Sequence, residues 1–487
     1  MCGVIGVFAT GRDTFDEVVA GLFQMQHRGQ DACGIAMADG DRFSLHKATG
    51  LVKEVFGLRP EGMQGSVACG HVRYPTQGGN RACNAQPHLI AEPGCEPLAL
   101  ASNGDVTNYG SLRADYEARG VTFAGSNDAE LILRIIVEAR KEGASLLDAI
   151  RFMQRTLRGA YSVCMVSEGR LWGIRDLYAV RPLSLGRLED GWMLASETPA
   201  IDINRGQLER ELEPGEVVEI SDAGCTSHLH PDLIALRGGR TTAAHCSFEH
   251  VYFSRPDSKT FGLRVYEARK RMGAWLADRD STPADIVVPV PDSSTAVALG
   301  YAQQRGIPFE FGLVRNHYVG RTFISPTQAR RDEGVRFKFN PNADLLEGRR
   351  VILVDDSIVR GTTARARVVN LREAGAKEVH MRISCPPHKH ACHYGIDFPD
   401  PEKLLANQCT LEQIRDYLGA DSIGYLDVDG MVRATGQEEK NFCLACFNAD
   451  YPVPVDPTLD KFIMERRQGR KDLLGDDDQP ELFDKVF

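Results

Sequence analysis

The sequence has no apolar run long enough to cross a membrane and no excess of positive charge. None of its segments approaches the roughly 20 consecutive apolar residues that span a bilayer. A formal net charge of −10 disfavours a nucleic-acid binder, because affinity for the phosphate backbone comes mainly from clustered Lys and Arg. The start lacks the basic segment and long apolar core of a secretory signal. We therefore expect a cytoplasmic protein that binds neither membranes nor nucleic acids.

Internal repeats and low-complexity tracts are also absent. The thirteen cysteines are scattered over 487 residues, which favours buried thiols, metal ligands or catalytic groups in a reducing compartment over disulfides. With 43% hydrophobic residues, a chain of this length can form two or three domains, each with a sizeable core.

The two halves of the chain differ in pattern. Up to about Leu236, short apolar strands alternate with turns and with helical stretches such as AELILRIIVEARKEG, which predicts antiparallel sheet with packed helices. After a turn-rich join, the runs ADIVVPVPDS and RRVILVDDS alternate with helical segments, which predicts a parallel α/β sheet. We assign domains to residues 2–236 and 246–470, and a charged tail to 471–487.

A loop in the second half has the features of a phosphate site. VILVDDSIVRGTT joins a buried strand to a helix that begins near Thr362, so loop amides and the helix N-terminus can bind an anion. Asp355 and Asp356 at the strand end can meet ribose hydroxyls or a hydrated magnesium ion. The string is neither a Walker A loop nor G-x-G-x-x-G. Alone, it also fits an ordinary turn or a helix cap.

The amino-terminal stretch MCGVIG places a cysteine at position 2. Once Met1 is removed, Cys2 carries both a nucleophilic thiol and a free α-amino group that can serve as its base. The motifs HRGQD, HVRYPTQGG, SNGD and SNDAE follow in that order. Individually, an Arg is usually a surface charge, an Asn-Gly pair a hairpin turn, and an Asp before a helix a cap.

Together these motifs resemble known families. VILVDDSIVRGTT resembles the phosphoribosyl pyrophosphate (PRPP) loop of type I phosphoribosyltransferases, and the amino-terminal motifs resemble the class II glutamine amidotransferase domain, an N-terminal nucleophile hydrolase. In this order, from Cys2 to about Pro454, they are similar to the amidophosphoribosyltransferase family. The resemblance implies amination of PRPP to 5-phosphoribosylamine, the first committed step of purine synthesis, with release of glutamate and pyrophosphate.

The resemblance also implies roles for individual residues. In the amidotransferase half, Cys2 is the nucleophile, Asn103 and Gly104 form the oxyanion hole, and Arg73 and Asp128 bind glutamine. The residues implied to bind PRPP are Asp355, Asp356, Ser357, Arg360, Gly361, Thr362, Thr363 and, from the loop YVGRTFI, Arg321. One Mg²⁺ ion per subunit is expected at Ser294, Asp355 and Asp356, and an ammonia channel at Tyr74, Tyr318 and Ile324. Arg315 and His317 depart from the family's usual lysine and arginine, which affects the detail of pyrophosphate binding.

Four cysteines match the ligands of the family members that carry a [4Fe–4S] cluster. They are Cys246, Cys392, Cys443 and Cys446, the last two in a C-x-x-C pair. Four thiolates are the usual complement of such a cluster, and zinc is the alternative for the same ligands. We expect a structural role, with Cys385 as the alternative to Cys392.

Glutamine and PRPP are the expected small-molecule partners. The family further suggests a homotetramer inhibited by purine nucleotides. Two other functions remain open at this stage: a class II amidotransferase with a different phosphorylated acceptor, and a non-catalytic sensor of PRPP or nucleotides.

Overall fold

The computed structural model describes residues 1–40, 42–76, 79, 81–317, 339–398 and 401–455. These residues form two compact units. The first consists of Met1–Cys246, His393–Asp397 and residues 451–455, and the second of the described parts of Ser247–Cys392 and Phe398–Asp450. The domain limits assigned from the sequence stay a prediction, and they did not anticipate that residues 393–397 belong with the first unit. The expected tail, 471–487, lies outside the described residues.

The first unit is built mainly from strands. In chain order the strands are β1 (Gly3–Ala9), β2 (Ala32–Asp39), β3 (Arg42–Thr49), β4 (Val67–Arg73), β5 (His88–Ile90), β6 (Leu98–Val106), β7 (Gly159–Ser167), β8 (Arg170–Arg175), β9 (Ser184–Leu188), β10 (Gly191–Ala195), β11 (Gln207–Glu211), β12 (Val217–Ser221), β13 (Gly224–His228) and β14 (His245–Cys246). Its α-helices are Phe15–Gln24, Val52–Val55, Tyr109–Ala118, Asp128–Lys141, Leu146–Thr156, Pro199–Ile203 and Leu233–Leu236, with 3₁₀ turns at Gln26–Arg28 and Ala82–Asn84.

Thirteen of these strands form two antiparallel sheets, as the sequence predicted. One has the order β11-β9-β10-β1-β4-β2-β3 and the other β13-β12-β8-β7-β6-β5. Side chains alternate between the two faces of a strand, so β1 sends Val4 and Phe8 toward the core between the sheets and Ile5 and Val7 toward the helix Phe15–Gln24. Further helices cover the outer face of the second sheet. The unit therefore has four layers, helix, sheet, sheet and helix.

The second unit contains a parallel sheet. Its strands are β15 (Lys259–Thr260), β16 (Leu263–Arg264), β17 (Ile286–Pro289), β18 (Leu313–Arg315), β19 (Phe339–Pro341), β20 (Arg350–Asp355), β21 (Glu378–Ile383), β22 (Ser422–Tyr425) and β23 (Phe442–Cys443). Its helices are a π-helical turn at Glu249–Phe253, the α-helices Val265–Asp278, Thr295–Arg305, Ala343–Leu346, Thr362–Glu373, Leu405–Gln408, Leu411–Leu418, Val428–Thr435 and Ala445–Asn448, and 3₁₀ turns at Pro401–Lys403 and Glu439–Asn441.

Strands β17, β20, β21 and β22 pair in parallel in that order. The predicted runs ADIVVPVPDS and RRVILVDDS are the first two of these strands. Parallel strands are covered on both faces, which explains their continuous apolar runs. Ligands of such sheets bind outside the carboxyl ends of the strands, and Asp355 is the last residue of β20. Within the described ranges, no helix has the length and apolarity needed to cross a bilayer.

Candidate active sites

The first candidate site surrounds Cys2, the residue immediately before β1. The side chain is 7% exposed, and its Sγ lies 3.4 Å from the carbonyl oxygen and 3.5 Å from the amide nitrogen of Tyr74. The guanidinium of Arg28 donates to the Cys2 carbonyl oxygen at 2.9 Å. Burial raises the pKa of the Cys2 thiol, so the thiol needs a base before it can act as a nucleophile.

Asn103 and Gly104 on β6 lie beside this cysteine. The Cys2 backbone nitrogen donates to Asn103 Oδ1 at 3.3 Å. The other end of that amide, the buried Nδ2, has no hydrogen-bond partner among the described residues. Gly104 has a φ of +146°, and a Cβ there would overlap the carbonyl oxygen of Ala160. An unpartnered buried donor next to a nucleophile is the arrangement expected of an oxyanion hole.

The two predicted glutamine-binding residues are buried on neighbouring elements. Arg73 ends β4 and donates to the carbonyl oxygen of Gly79 at 3.2 Å. Asp128 begins the helix Asp128–Lys141 and accepts a hydrogen bond from the Val106 backbone amide at 3.0 Å. The N-cap of this helix is Asn127, whose side chain accepts from the Glu130 amide. The cap alternative for Asp128 is therefore wrong.

Burial and the neighbouring Asp105 raise the pKa of Asp128 to about 7. Asp105 was missed in the sequence because one acid after an Asn-Gly pair is typical of a turn. Its Oδ1 accepts from the Thr76 hydroxyl at 2.6 Å. Asp105 lies two residues after Asn103 on β6, so the alternation of side chains along a strand could have placed it on the same face as Asn103.

A short segment from late in the chain also reaches this site. Arg181 Nε donates to the carbonyl oxygen of Tyr394 at 2.7 Å, and the Tyr394 hydroxyl donates to the carbonyl oxygen of Val453 at 2.6 Å. Gly395 has a φ of +109°, and a Cβ at this residue would lie 3.1 Å from the Cα of Gly104. Residues 393–397 therefore back the strand that carries the candidate oxyanion hole.

The second candidate site lies at the carboxyl end of β20. Asp355 and Asp356 are buried. Asp355 Oδ2 forms an ion pair with Arg367 at 2.6 Å, and Asp356 accepts hydrogen bonds from the hydroxyls of Ser293 at 2.5 Å and Ser357 at 2.6 Å. Burial and the charge of Asp355 raise the pKa of Asp356 to about 7. A cation beside this pair would relieve both effects.

The loop that follows the acidic pair leads directly into a helix. Gly361 is the N-cap residue, and Thr362 and Thr363 begin the helix Thr362–Glu373. The first turn of a helix offers free N–H groups to an anion. Ser357, half-buried, and Arg360, also half-buried, lie in the loop between strand and helix. This is the strand, loop and helix order that the sequence predicted.

Ser294 is placed differently from Ser293. It is the N-cap residue of the helix Thr295–Arg305 but forms no side-chain cap hydrogen bond. Its buried Oγ has no partner in the part of the chain that the structure describes. With the two carboxyl groups it supplies oxygen donors, which suit Mg²⁺. The sequence did not predict Ser293 or Arg367 in this site.

Other predicted residues fall at the edges of the description. Arg315 forms an ion pair with Asp292 at 2.7 Å, and His317 is exposed. Tyr318, Arg321 and Ile324 lie outside the described residues. All thirteen cysteines are described, and none of them forms a disulfide. Among the described residues, no group of three or more His, Cys, Asp or Glu side chains is arranged to hold a metal ion.

Comparison with known proteins gives the class first. The sequence model of a glutamine amidotransferase domain matches residues 78–202. With Cys2 at the start of the first strand and two stacked antiparallel sheets, the fold is that of an N-terminal nucleophile amidotransferase, followed by a phosphoribosyltransferase fold with a parallel sheet. Both parts of the predicted fold class are confirmed.

The relatives then give the family. The chain is 43% identical over 461 residues to an amidophosphoribosyltransferase of Synechococcus elongatus, covering 93% of this chain and 92% of the relative. It is 42% identical over 460 residues to that of Bacillus subtilis, covering 93% and 94%. The solved B. subtilis glutamine PRPP amidotransferase, complexed with ADP and GMP, matches with a TM-score of 0.87 and 40% identity, covering 94% and 99%. The chain belongs to the amidophosphoribosyltransferase family.

Proposed function

We propose that this enzyme converts PRPP, glutamine and water into 5-phosphoribosylamine, glutamate and pyrophosphate, the first committed step of purine synthesis. Family membership supports the overall reaction. The observation that carries the residue roles is the hydrogen bond from the Cys2 backbone nitrogen to Asn103, whose side-chain amide nitrogen is buried without a partner among the described residues.

In the first half-reaction, Cys2 Sγ attacks the side-chain amide carbon of glutamine. Removal of Met1 frees the Cys2 amino group, which takes the thiol proton and passes it to the leaving ammonia. With Met1 in place, burial lowers the pKa of the Met1 amino group to about 6. Asn103 Nδ2 and the Gly104 amide stabilise the oxyanion. Water then hydrolyses the thioester to glutamate.

Substrate orientation is assigned to charged groups. Arg73 pairs with the α-carboxylate of glutamine and Asp128 with its α-ammonium group. In the second site, Ser357, Arg360 and the loop and helix amides from Gly361 to Thr363 hold the 5-phosphate, and the two carboxyl groups orient the ribose. Asp355, Asp356 and Ser294 would hold Mg²⁺. The bound ion would supply positive charge to the leaving pyrophosphate. Ammonia attacks the anomeric carbon as pyrophosphate leaves.

The ammonia channel and the phosphate contact from the loop YVGRTFI stay predictions. Tyr74 contacts the Cys2 thiol through its backbone, which is consistent with a position where ammonia is released. The assigned partners Tyr318 and Ile324, and the phosphate contact Arg321, fall among residues that the structure does not describe.

A [4Fe–4S] cluster on Cys246, Cys392, Cys443 and Cys446 is also proposed, with zinc as the alternative. The thiol donor set fits either group. Contacts within the second unit support this ligand set, because they join the segments next to these cysteines. The amides of Lys389 and His390 donate to the Cys446 carbonyl oxygen at 3.1 Å, and the Ser247 hydroxyl donates to the Cys443 carbonyl oxygen at 3.1 Å. Iron and acid-labile sulfide in anaerobically purified protein would support the cluster, and zinc without iron would contradict it.

Regulation and assembly are proposed from the relatives. The B. subtilis structure was determined with ADP and GMP, which supports purine nucleotides as feedback inhibitors here. We further propose a cytoplasmic homotetramer.

The coupled reaction is tested by glutamate release. We expect release to rise several-fold when PRPP and Mg²⁺ are added and to disappear in Cys2→Ala, while ammonia-dependent synthesis of phosphoribosylamine persists. Cys225→Ala, a half-buried cysteine on β13, is the matched control and should retain both activities. Glutamate release at the same rate with and without PRPP would indicate another acceptor. Binding of PRPP without turnover would indicate a sensor.

A further inference from the structure

The glutamine pocket contains a second carboxyl group to which no role has been given. Asp105 is 1% exposed and lies two residues after Asn103 on β6, so both side chains are on the same face of the strand. The residue between them is Gly104. The carboxyl group of Asp105 is therefore held beside the candidate oxyanion hole, with Oδ1 fixed by the Thr76 hydroxyl at 2.6 Å.

Asp128 contacts the same end of β6 through a hydrogen bond. Its Oδ2 accepts from the amide of Val106 at 3.0 Å, the residue directly after Asp105. The peptide that joins Asp105 to Val106 thus brings the two acids together from different elements, a strand and a helix start. Their proximity also shows in the acidity of Asp128, because the charge of Asp105 raises its pKa.

We propose that Asp105 and Asp128 together bind the α-ammonium group of glutamine. This rests on the proposed function, because it takes the Cys2 pocket to be the glutamine site. An ammonium group has three N–H donors, so it can serve two carboxylates at once. Arg73 takes the α-carboxylate, and the pair of acids then selects substrates that carry a positive charge on the α-nitrogen.

A proton balance follows from this arrangement. Two adjacent buried carboxylates share a proton in the empty pocket near neutral pH. When the ammonium group enters, that proton leaves to solvent and both acids are ionised. The ionisable groups around the pair are the Cys2 thiol, the chain amino group, Arg28, Arg73 and Arg181. The three arginines stay charged between pH 6 and 8, whereas the amino group on Met1, whose pKa burial lowers to about 6, titrates at the lower end of that range.

The test is calorimetric binding of glutamine to full-length Cys2→Ala protein, with PRPP and Mg²⁺ present, between pH 6 and 8. We expect the Kd to rise about fivefold from pH 7 to pH 6. Titrations in buffers of different ionisation enthalpy should show release of up to about one proton near pH 6.5. Adding Asp105→Asn should remove the proton release, flatten the pH dependence and weaken binding at pH 8 about tenfold.

Two further variants separate charge from structure. Thr76→Val removes the hydrogen bond to Asp105 but keeps both acids, so proton release should persist. Asp222→Asn alters an exposed acid that also accepts from a threonine, Thr10, at 2.9 Å, and should leave binding unchanged. The same pH slope and proton release in Asp105→Asn would overturn the proposal. A failure of the proposed function would appear separately, as no glutamate release from protein with Cys2 intact.

Discussion

Each candidate site contains two neighbouring buried carboxyl groups and, beside them, a buried polar atom without a partner among the described residues. In the first unit the atom is a donor, Asn103 Nδ2. In the second it is Ser294 Oγ, a hydroxyl whose lone pairs can accept or ligate. An unsatisfied buried polar group costs about 1–3 kcal/mol, so a ligand that pairs with this atom would stabilise each candidate site. The donor suits a developing negative charge, and the hydroxyl beside two acids suits a cation.

The acid pairs differ in their supporting partners. Asp355 has an arginine at 2.6 Å, and Asp356 has two serine hydroxyls. In the first unit, a threonine hydroxyl and a backbone amide hold Asp105 and Asp128. Nevertheless one acid of each pair has its pKa raised to about 7. In both units, burial and the adjacent acid are the main causes of the raised pKa. A bound cation would stabilise the ionised acids, and the proposed cation is an ammonium group in the first unit and a metal ion in the second.

The largest expected effect comes from removing the unpartnered donor. Asn103→Ala should lower kcat for glutamine hydrolysis about 10²- to 10³-fold, the usual cost of one oxyanion-hole donor. Ammonia-dependent synthesis by the same protein should stay within about twofold, since its chemistry uses the second site alone. An equal loss of both activities would indicate damage to the fold and erase the contrast between the two units.

A smaller effect is expected at the second acid pair. Asp356→Asn should raise the KM for PRPP about 10- to 100-fold, which corresponds to roughly 1.5–3 kcal/mol for a contact to a charged group. The loss should be the same with glutamine or ammonia as nitrogen donor. Asp344→Asn, an exposed acid in the same unit, is the control. If only the glutamine reaction suffered, Asp356 would not act on PRPP.

The smallest effect concerns stability without ligands. Because the pKa values of Asp128 and Asp356 are raised on folding, their contribution favours folding below the unfolded pKa near 4 and is lost as pH rises through about 7. We expect a lower Tm at pH 8 than at pH 6. Asp356→Asn should raise the Tm at pH 8, by about 2–4 °C for each 1 kcal/mol recovered. A lower Tm for this variant at pH 8 would contradict the origin assigned to the shift.

Much of the fold and of the two candidate sites could be predicted from local sequence. Continuous apolar runs identified β17 and β20 because both faces of a parallel strand are buried, and the order of motifs identified both halves. Contacts between distant residues leave no such local pattern. Asp105 looks like part of a turn, and Arg367 like an ordinary helix residue until the helix places it against Asp355. Ser293 and Ser294 are adjacent, and only the backbone geometry shows which hydroxyl contacts Asp356.

Gly395 packs close to Gly104 although it is synthesised almost 300 residues later. A ribosome makes chain at roughly 5–20 residues per second, so the sheets of the first unit can form well before residues 393–397 emerge. Until then β6, the strand that carries the candidate oxyanion hole, is not covered by this segment. A nascent or truncated chain that ends before residue 393 would hold the two sheets without the segment that packs behind Gly104.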